Sequence, residues 1–143
     1  MKFEPITALS PNMTAIGGDL IGGDPLALVG ARCKACENFS FPPRAFCPAC
    51  FSADKLERRP LRGEGTVFTF TVVRQAPAGH AVPYVLAFVD LHEGVRIMAQ
   101  VRAEPEAVHI GMKVRAAFYI RTTDASSMAI YAFEPAPASM GAS

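Results

Sequence analysis

The chain has 143 residues and a mass of 15.3 kDa, half of its residues are hydrophobic, and its formal net charge is +1. This length predicts one domain or two small modules, and the apolar fraction is sufficient to bury a core, which excludes disorder for most of the chain. A pI of about 7.7 is low for a dedicated nucleic-acid-binding domain, and a charged fraction of only 19% favours a surface that a partner covers.

The first 25 residues are rich in glycine and proline. A short tandem repeats Ile-Gly-Gly-Asp at residues 16–19 and 21–24. Paired glycines lose much conformational entropy when they become ordered, and they favour irregular backbone. No Gly-Lys-Ser/Thr sequence follows, so this is not a phosphate-binding loop. We expect residues 1–25 to form a flexible arm, and an arm that docks on a partner is the alternative.

Neither a secretory nor a membrane-spanning segment is predicted. The residues after Lys2 include no apolar core of the kind that a signal peptide carries. The longest uninterrupted apolar run, Tyr84–Val89, is far shorter than the ~18 residues that a membrane helix needs. Four cysteines are too few for a disulfide scaffold of the secreted type. We therefore expect a cytoplasmic protein in a reducing compartment.

All four cysteines lie between residues 26 and 59, in two Cys-x-x-Cys pairs: Cys33, Cys36, Cys47 and Cys50. Each pair can bend into a knuckle that directs two sulfurs at one point, and two knuckles supply the tetrahedral four-thiolate shell that Zn²⁺ prefers. Four protein ligands leave no open position for water or substrate. We therefore expect one structural zinc per chain, whose binding energy stabilises a module too small to fold alone.

Other interpretations of the cysteines stay open, namely a redox dithiol, two disulfides, or iron in the same cage. A thioredoxin-type motif needs one Cys-x-x-Cys beside a βαβ pattern, and this chain has two such pairs and no such pattern. Ligand type alone does not separate zinc from iron. Glu37 and Phe51 follow the knuckles at positions where glycine is common, which predicts positive φ there.

The segment between the knuckles carries three phenylalanines: Phe39, Phe41 and Phe46. A ribbon of this size cannot bury all of them within itself. We expect them to pack against the rest of the chain or against a partner.

From about residue 60 to residue 135 the pattern changes to short β-rich runs separated by turn residues. Thr66–Val73 is the first run. Tyr84–Leu91 is apolar on both faces apart from Asp90, so it is expected to lie centrally in a sheet or under another element. Val95–Arg102 alternates as a half-buried strand does, with its apolar face formed by Val95, Ile97, Ala99 and Val101.

Two further runs, Val114–Arg121 and Met128–Phe133, bring the number of predicted strands to five, which is typical of a small barrel. The inward residues of the first of these are expected to be Val114, Ala116, Phe118 and Ile120. The tail, residues 136–143, contains little to bury and is expected to be loose.

The order and spacing of several short motifs resemble the zinc-ribbon plus OB-fold family long catalogued as a domain of unknown function. The likeness runs from Leu28 to Pro135, about three quarters of the chain. Beside the cysteine pairs, its landmarks are Phe41-Pro42-Pro43-Arg44, Gly63-Glu64-Gly65-Thr66-Val67, Pro83-Tyr84-Val85, Val89-Asp90-Leu91-His92-Glu93-Gly94-Val95-Arg96, Ile110-Gly111-Met112-Lys113-Val114 and Phe133-Glu134-Pro135.

This resemblance implies a mainly β chain, with a small rubredoxin-like zinc ribbon at 26–59 and a five-stranded OB-type barrel at 60–135, flanked by the arm and the tail. Family members accompany thiolases of the sterol-carrier type or acyl-CoA hydratases, as small subunits or fused domains. They are associated with acyl-CoA rather than with nucleic acid. Members usually begin with a helical segment that docks on the partner, and the glycine-rich arm stands in its place here.

The chain is not expected to do covalent chemistry alone. A thiolase needs a reactive cysteine and histidine bases, and all four cysteines are assigned to the metal. The histidines are scattered and each lies in or next to a turn: His80, His92 and His109. No catalytic residue is therefore predicted.

An acyl-CoA ligand would need cations for its phosphates. Arg58, Arg59 and Arg62 cluster at the junction of the ribbon and the barrel, with Arg44 and Arg74 expected nearby. The planar fork of donors on arginine suits phosphate, so these residues are candidates for CoA-phosphate binding. A solvated charged face is the alternative interpretation.

The favoured function is a non-catalytic, zinc-containing subunit of a heteromeric thiolase-type complex that supports the catalytic subunit and helps to position acyl-CoA. One alternative is an accessory subunit of an acyl-CoA hydratase, and another is a single-strand nucleic-acid-binding OB protein. For the last, Tyr84 and Phe88 share one face of the second barrel strand, but the adjoining face of the third offers no aromatic residue: Arg96, Met98, Gln100 and Arg102.

Overall fold

The computed structural model describes residues 2–9, 14–16, 20–23, 25–78, 81–122 and 127–136. Within these ranges the chain is mainly β, with one short 3₁₀ helix at Pro105–Ala107. In chain order the strands are β1 (Lys2–Pro5), β2 (Thr14–Ala15), β3 (Ile21–Gly22), β4 (Ala27–Cys33), β5 (Phe39–Ser40), β6 (Leu56–Pro60), β7 (Glu64–Val73), β8 (Tyr84–Leu91), β9 (Arg96–Val101), β10 (Lys113–Thr122) and β11 (Ser127–Pro135).

Strands β7 to β11 form a closed five-stranded barrel, as predicted. β7, β8 and β9 are an antiparallel meander, and β10 pairs with both β7 and β11. A single parallel pair, Val101 with Phe133, joins β9 to β11 and completes the circle. A register shift between Val67 and Thr69 marks a bulge in β7. Because a bulge increases the local bend, it helps this long strand to follow the curve of the barrel.

The barrel core consists of the inward residues of β8 and β9 packed around Phe133, which is fully buried. The predicted alternation of β9 is confirmed, with Val95, Ile97, Ala99 and Val101 all buried. β8 lies centrally between β7 and β9, yet its outer face is open and Phe88 is 42% exposed.

β10 does not follow the predicted inward pattern over its whole length. Val114 is buried, but Ala116, Phe118 and Ile120 are only half-buried, and Tyr119 is buried on the other face. The second half of the strand extends beyond its three pairs with β7 and is flanked by β1 and β11. Both of its faces are therefore partly covered there.

The ribbon is a second small sheet in which β4 pairs with β3, β5 and β6. It is joined to the barrel through a shared core, because Leu28 of β4 and Leu61, just after β6, belong to the same buried cluster as the barrel valines. The Leu61 N–H donates to the Leu28 carbonyl at 2.8 Å. At Gly30 a Cβ would lie 2.7 Å from the Ser40 carbonyl oxygen, so the close packing of this sheet requires glycine.

The prediction of a flexible N-terminal arm is wrong for the part of it that the structure describes. β1 pairs with β10 along four residues, β2 pairs in parallel with β11, and β3 pairs with β4. Ala15 and Ile21 are buried and anchor these short segments. Their high glycine content did not indicate this burial. Residues 17–19 and 24 of the tandem and residues 137–143 of the tail lie outside the described ranges.

No helix among the described residues is long and apolar enough to cross a membrane.

Candidate metal centre

The two Cys-x-x-Cys pairs form knuckles with the same backbone hydrogen bonds. The Glu37 N–H donates to the Cys33 carbonyl and the Phe51 N–H donates to the Cys47 carbonyl, both at 2.8 Å. The φ angles of Glu37 and Phe51 are 66° and 65°, which confirms the predicted left-handed positions. Each knuckle therefore turns tightly enough to present two thiols on one side.

The four thiols converge on a single point. Cys33 Sγ lies 3.6 Å from Cys50 Sγ, Cys36 Sγ lies 3.5 Å from Cys47 Sγ, and all four sulfurs lie within 4.8 Å of one another. A tetrahedral ion with metal–sulfur bonds of ~2.3 Å places its sulfurs about 3.8 Å apart. The cysteines are not joined in disulfides. This ribbon is thus positioned to bind one metal ion, and its donor set fits zinc.

The surroundings of Cys36, Cys47 and Cys50 shift the pKa values of these thiols in different directions. Hydrogen bonds from the side chain and backbone of Ser52 lower the pKa of Cys50 to about 6. At Cys36 a backbone hydrogen bond at Asn38 favours the thiolate, but desolvation and the neighbouring cysteines outweigh it and raise the pKa to about 12. The backbone around Cys50 and Ala49 lowers the pKa of Cys47. Four such groups crowded together do not all ionise unless a cation neutralises them.

One ligand of each knuckle is buried and the other is exposed. Cys33 and Cys47 are fully buried, whereas Cys36 and Cys50 face solvent. Cys33 is the last residue of β4 and pairs in register with Leu56 of β6, so the sheet holds one corner of the cage. No position of a four-cysteine cage is left for a substrate, so the chemistry available here is structural.

The candidate CoA arginines are only partly brought together. Arg58 and Arg59 lie on β6 and Arg62 follows it, at the junction of ribbon and barrel. Adjacent residues of a strand point to opposite faces, so Arg58 and Arg59 do not share one. Arg74 follows the far end of β7, ten strand residues away, so the expectation that it lies near the others is not met.

Carboxylates accompany these cations. Arg59 is paired with Glu57 at 2.8 Å and Arg62 with Glu64 at 3.2 Å. A groove of about 610 Å³ beside Arg62 is lined by charges of both signs, namely Glu64, Asp90 and Lys113, and by His92. A smaller one of about 320 Å³ brings Arg58 together with Arg44 and Glu57.

Two of the three ribbon phenylalanines pack on the barrel. The Phe41 ring meets Tyr131 edge-to-face with centroids 5.7 Å apart, and Phe39 packs against the same core. Phe46 is 52% exposed.

The histidines are not brought together among the described residues. His92 and His109 are exposed and lie in separate loops, and His80 is outside the described residues.

Sequence reasoning missed two arginine–aromatic contacts on the barrel. Arg96 stacks at 3.6 Å on Phe68 while forming a two-point ion pair with Asp90. The Arg102 guanidinium carbon lies 4.8 Å from the ring centres of both Phe3 and Tyr119. The pairing of Asp90 with Arg96 follows from the β8–β9 register, but Phe3 and Tyr119 are too far from Arg102 in sequence for any local pattern to indicate the second contact.

Two family models match consecutive parts of the chain. The rubredoxin-like zinc ribbon domain of ChsH2 matches residues 22–57, and the C-terminal OB-fold domain of ChsH2 matches residues 58–119. The boundary between them falls within β6, just before the shared core is reached at Leu61.

Similar curated proteins are described as scaffolds or subunits. A DUF35 domain-containing scaffold protein of Methanocaldococcus jannaschii is 45% identical over 94 residues, 64% of this chain and 67% of that protein. Benzoylsuccinyl-CoA thiolase subunit BbsA of Geobacter metallireducens is 36% identical over 103 residues, 72% of this chain and 67% of that subunit. The 3-oxo-4,17-pregnadiene-20-carboxyl-CoA hydratase alpha subunit of Mycobacterium tuberculosis is 47% identical over 76 residues, 51% of this chain but only 23% of that subunit.

A solved structure described as the Ltp2-ChsH2(DUF35) aldolase contains a similar chain. The TM-score is 0.64 at 31% sequence identity, and the likeness covers 78% of this chain and 86% of that one.

Proposed function

Because this chain belongs to the DUF35 family of ChsH2-type zinc-ribbon and OB-fold proteins, we propose that it is a non-catalytic, zinc-containing subunit of a thiolase-type acyl-CoA complex. The observation that carries this proposal is the convergence of all four cysteines on one point. A thiolase reaction needs a free cysteine nucleophile, and a chain whose thiols all hold a metal must obtain that nucleophile from a partner. The complex would be cytoplasmic.

In this proposal one Zn²⁺ is held by Cys33, Cys36, Cys47 and Cys50 and has a structural role. The ion, when bound, supplies folding energy to the ribbon and no chemistry. The sulfur–sulfur distances of 3.5 and 3.6 Å and the absence of disulfides among these cysteines support it.

The thiolase-type partner is favoured by the subunit BbsA, which this chain matches over 72% of its own length. Exposed apolar side chains provide a surface that such a partner would cover. Phe51 is 73% exposed at the end of the second knuckle, and Ile110 is 67% exposed in the loop before β10. A partner that packs on these two side chains would remove their apolar surface from water.

The same proposal assigns CoA-phosphate contacts to the arginines at the ribbon–barrel junction. Arg58 lines one groove together with Arg44 and Glu57, so a phosphate there would meet two guanidinium groups. Arg59 and Arg62 are paired with Glu57 and Glu64, and a phosphate would replace these carboxylates. Arg74 lies at the opposite end of β7 and is left out. We expect 3′-dephospho-CoA to bind more weakly than CoA, and Arg58→Met to remove that difference while Lys34→Met preserves it.

A native pull-down of the full chain, tagged and treated with nuclease at moderate salt, tests the partner. We expect a thiolase-type catalytic subunit to co-purify, and thiolysis of an acyl-CoA to require both proteins when they are recombined. Recovery of nucleic acid or of no partner would contradict the proposal.

An acyl-CoA hydratase complex is the second candidate, favoured by the 47% identity to a hydratase alpha subunit. The pull-down separates the two, because the partner would then hydrate an enoyl-CoA and would not cleave a 3-oxoacyl-CoA with free CoA.

A further inference from the structure

A second groove, of about 710 Å³, opens on the side of the barrel between the N-terminal strand β1 and the ends of β8 and β9. Its volume is in the range of small-molecule sites, roughly 300–1,000 Å³. None of its lining residues belongs to the ribbon, so it is separate from both the cysteine cage and the arginines of the junction.

Arg102 is held in this groove by two aromatic rings. Its guanidinium carbon lies 4.8 Å from the ring centre of Phe3 and 4.8 Å from that of Tyr119. The backbone on which it stands is fixed as well, because the Arg102 N–H donates to the Phe133 carbonyl at 2.8 Å. These two rings, here termed the arginine clamp, lie on one face of the β1–β10 pair. Arg102 also contacts the Tyr119 hydroxyl, and the other N–H donors of its guanidinium are left for a ligand.

Arg102 is not paired with any carboxylate among the residues that the structure describes. Arg96 and Arg115, on other strands of the barrel, each form an ion pair. Arg121 lines the same groove, and among the described residues that line it Glu104 alone is acidic. Two guanidinium groups facing one carboxylate leave the site net positive and suited to an anion.

The rest of the lining is apolar and amide-bearing. Tyr84 and Leu86 of β8 form one wall and Gln100 of β9 adjoins them. Tyr119 is only 8% exposed, and burial, followed by the nearby Glu134 carboxylate, raises its pKa, which keeps its hydroxyl neutral. Beside Tyr119 the groove is partly shielded from solvent, and there a charge-assisted hydrogen bond is worth more than on an open surface.

We propose that this groove binds a small organic anion, whose carboxylate or phosphate group pairs with Arg102 and Arg121 and whose apolar part lies against Tyr84 and Leu86. β1 is part of the site, because Phe3 supplies one side of the arginine clamp. The inference does not rest on the proposed subunit function, since it uses different residues and needs no partner.

Titrations of the isotope-labelled full chain, with zinc bound and followed by NMR, test this inference. The probes are phenyl phosphate, benzoate, inorganic phosphate and benzyl alcohol. We expect phenyl phosphate or benzoate to shift the amides of residues 100–104 and the Arg102 side chain, with millimolar affinity. Comparing phenyl phosphate with benzoate shows whether the groove prefers a phosphate or a carboxylate. Comparing phenyl phosphate with inorganic phosphate measures the contribution of the apolar part. Neutral benzyl alcohol is expected to bind at least about tenfold more weakly than the aromatic anions.

Variants separate the groove from general surface charge. Arg102→Met and Arg121→Met should each weaken binding about tenfold, the size expected for losing a hydrogen bond between charged groups. Phe3→Ala should weaken it while leaving both cations in place, and Lys55→Met, which removes an exposed cation of the ribbon, is the control. A variant whose spectrum has the poor dispersion of an unfolded chain is left out of the comparison. Arg121 is not part of the arginine clamp, so Arg121→Met still tests the proposal if Arg102→Met does not fold. Equal binding by Lys55→Met and Arg121→Met, tight binding of benzyl alcohol, or shifts confined to the ribbon would overturn the proposal.

Discussion

Glu37 and Phe51 show how much local backbone geometry can be anticipated from cysteine spacing. Both were expected at positive φ because a Cys-x-x-Cys turn closes on the residue that follows it, and both have φ near 65°. A side chain in the left-handed region costs roughly 1–2 kcal/mol because its Cβ approaches a carbonyl oxygen. The chain accepts this strain in both knuckles.

Phe51→Gly should therefore raise the free energy of unfolding of the zinc-bound chain by roughly 1 kcal/mol, since glycine adopts this φ without the Cβ contact. Phe51 is 73% exposed, so little packing is lost. Phe46→Gly is the matched control, because Phe46 is also exposed but is not among the positive-φ residues, and it should be neutral or destabilising. Denaturant unfolding at saturating zinc measures both variants. A stability loss at Phe51 equal to that at Phe46 would show that the strain is not released.

The cysteines give a second residue-scale prediction. Cys36→Ser and Cys47→Ser should each reduce bound zinc from one per chain to nearly none and lower the melting temperature by more than about 10 °C, because the ribbon depends on the ion for its folding energy. Ser52→Ala removes the hydroxyl beside Cys50 but no ligand, and it should retain the zinc. Metal analysis and thermal melts decide this. A soluble, metal-free wild-type chain with four titratable thiols would contradict it.

At the scale of the element, the barrel strands could be predicted and the N-terminal strands could not. Strands of six or more residues such as β9 carry a readable alternation. β2 and β3 have two residues each, too few for any period, and they exist because β11 and β4 offer them partners. The contacts of Arg102 could not be predicted either, because the two rings beside it belong to β1 and β10, which lie more than a hundred residues apart in sequence.

Gly65 lies near the start of β7, where the strand packs closely against β8. A Cβ there would lie 2.7 Å from the Asp90 carbonyl oxygen and 2.8 Å from a methyl group of Val89. Gly65→Ala should destabilise the chain by about 1–3 kcal/mol, because β7 and β8 would have to move apart at the start of their ladder. At Gly22 the nearest atom is 3.7 Å away, an ordinary contact, so Gly22→Ala is the control. Equal unfolding free energies for the two variants would mean that the strands separate at no cost.

The ribbon and the barrel share one hydrophobic core in this structure. Leu28 belongs to β4 yet is fully buried in the barrel cluster, and Phe41 stacks on Tyr131 of β11. Sequence composition separates a cysteine-rich segment from a β-rich one at about residue 60, but it cannot indicate how far the two cores merge. That merging depends on which residues of β4 face the barrel, and the sheet pairing of β4 determines it.

Zinc removal should consequently weaken the barrel as well as the ribbon. Once a chelator removes the ion, the knuckles lose their folding energy, β4 and β6 are no longer held in register, and Leu28 and Leu61 are withdrawn from the barrel core. Removing two leucines of this kind costs several kcal/mol in a packed core. We expect hydrogen exchange at buried β8 positions such as Val85 and Val89 to accelerate by at least about tenfold after chelation, and to recover when zinc is restored. The amide of Thr122, at the far end of β10, serves as an internal control for general fraying. If the β8 amides kept their protection while the ribbon amides lost theirs, the ribbon and the barrel would be independent domains that only touch.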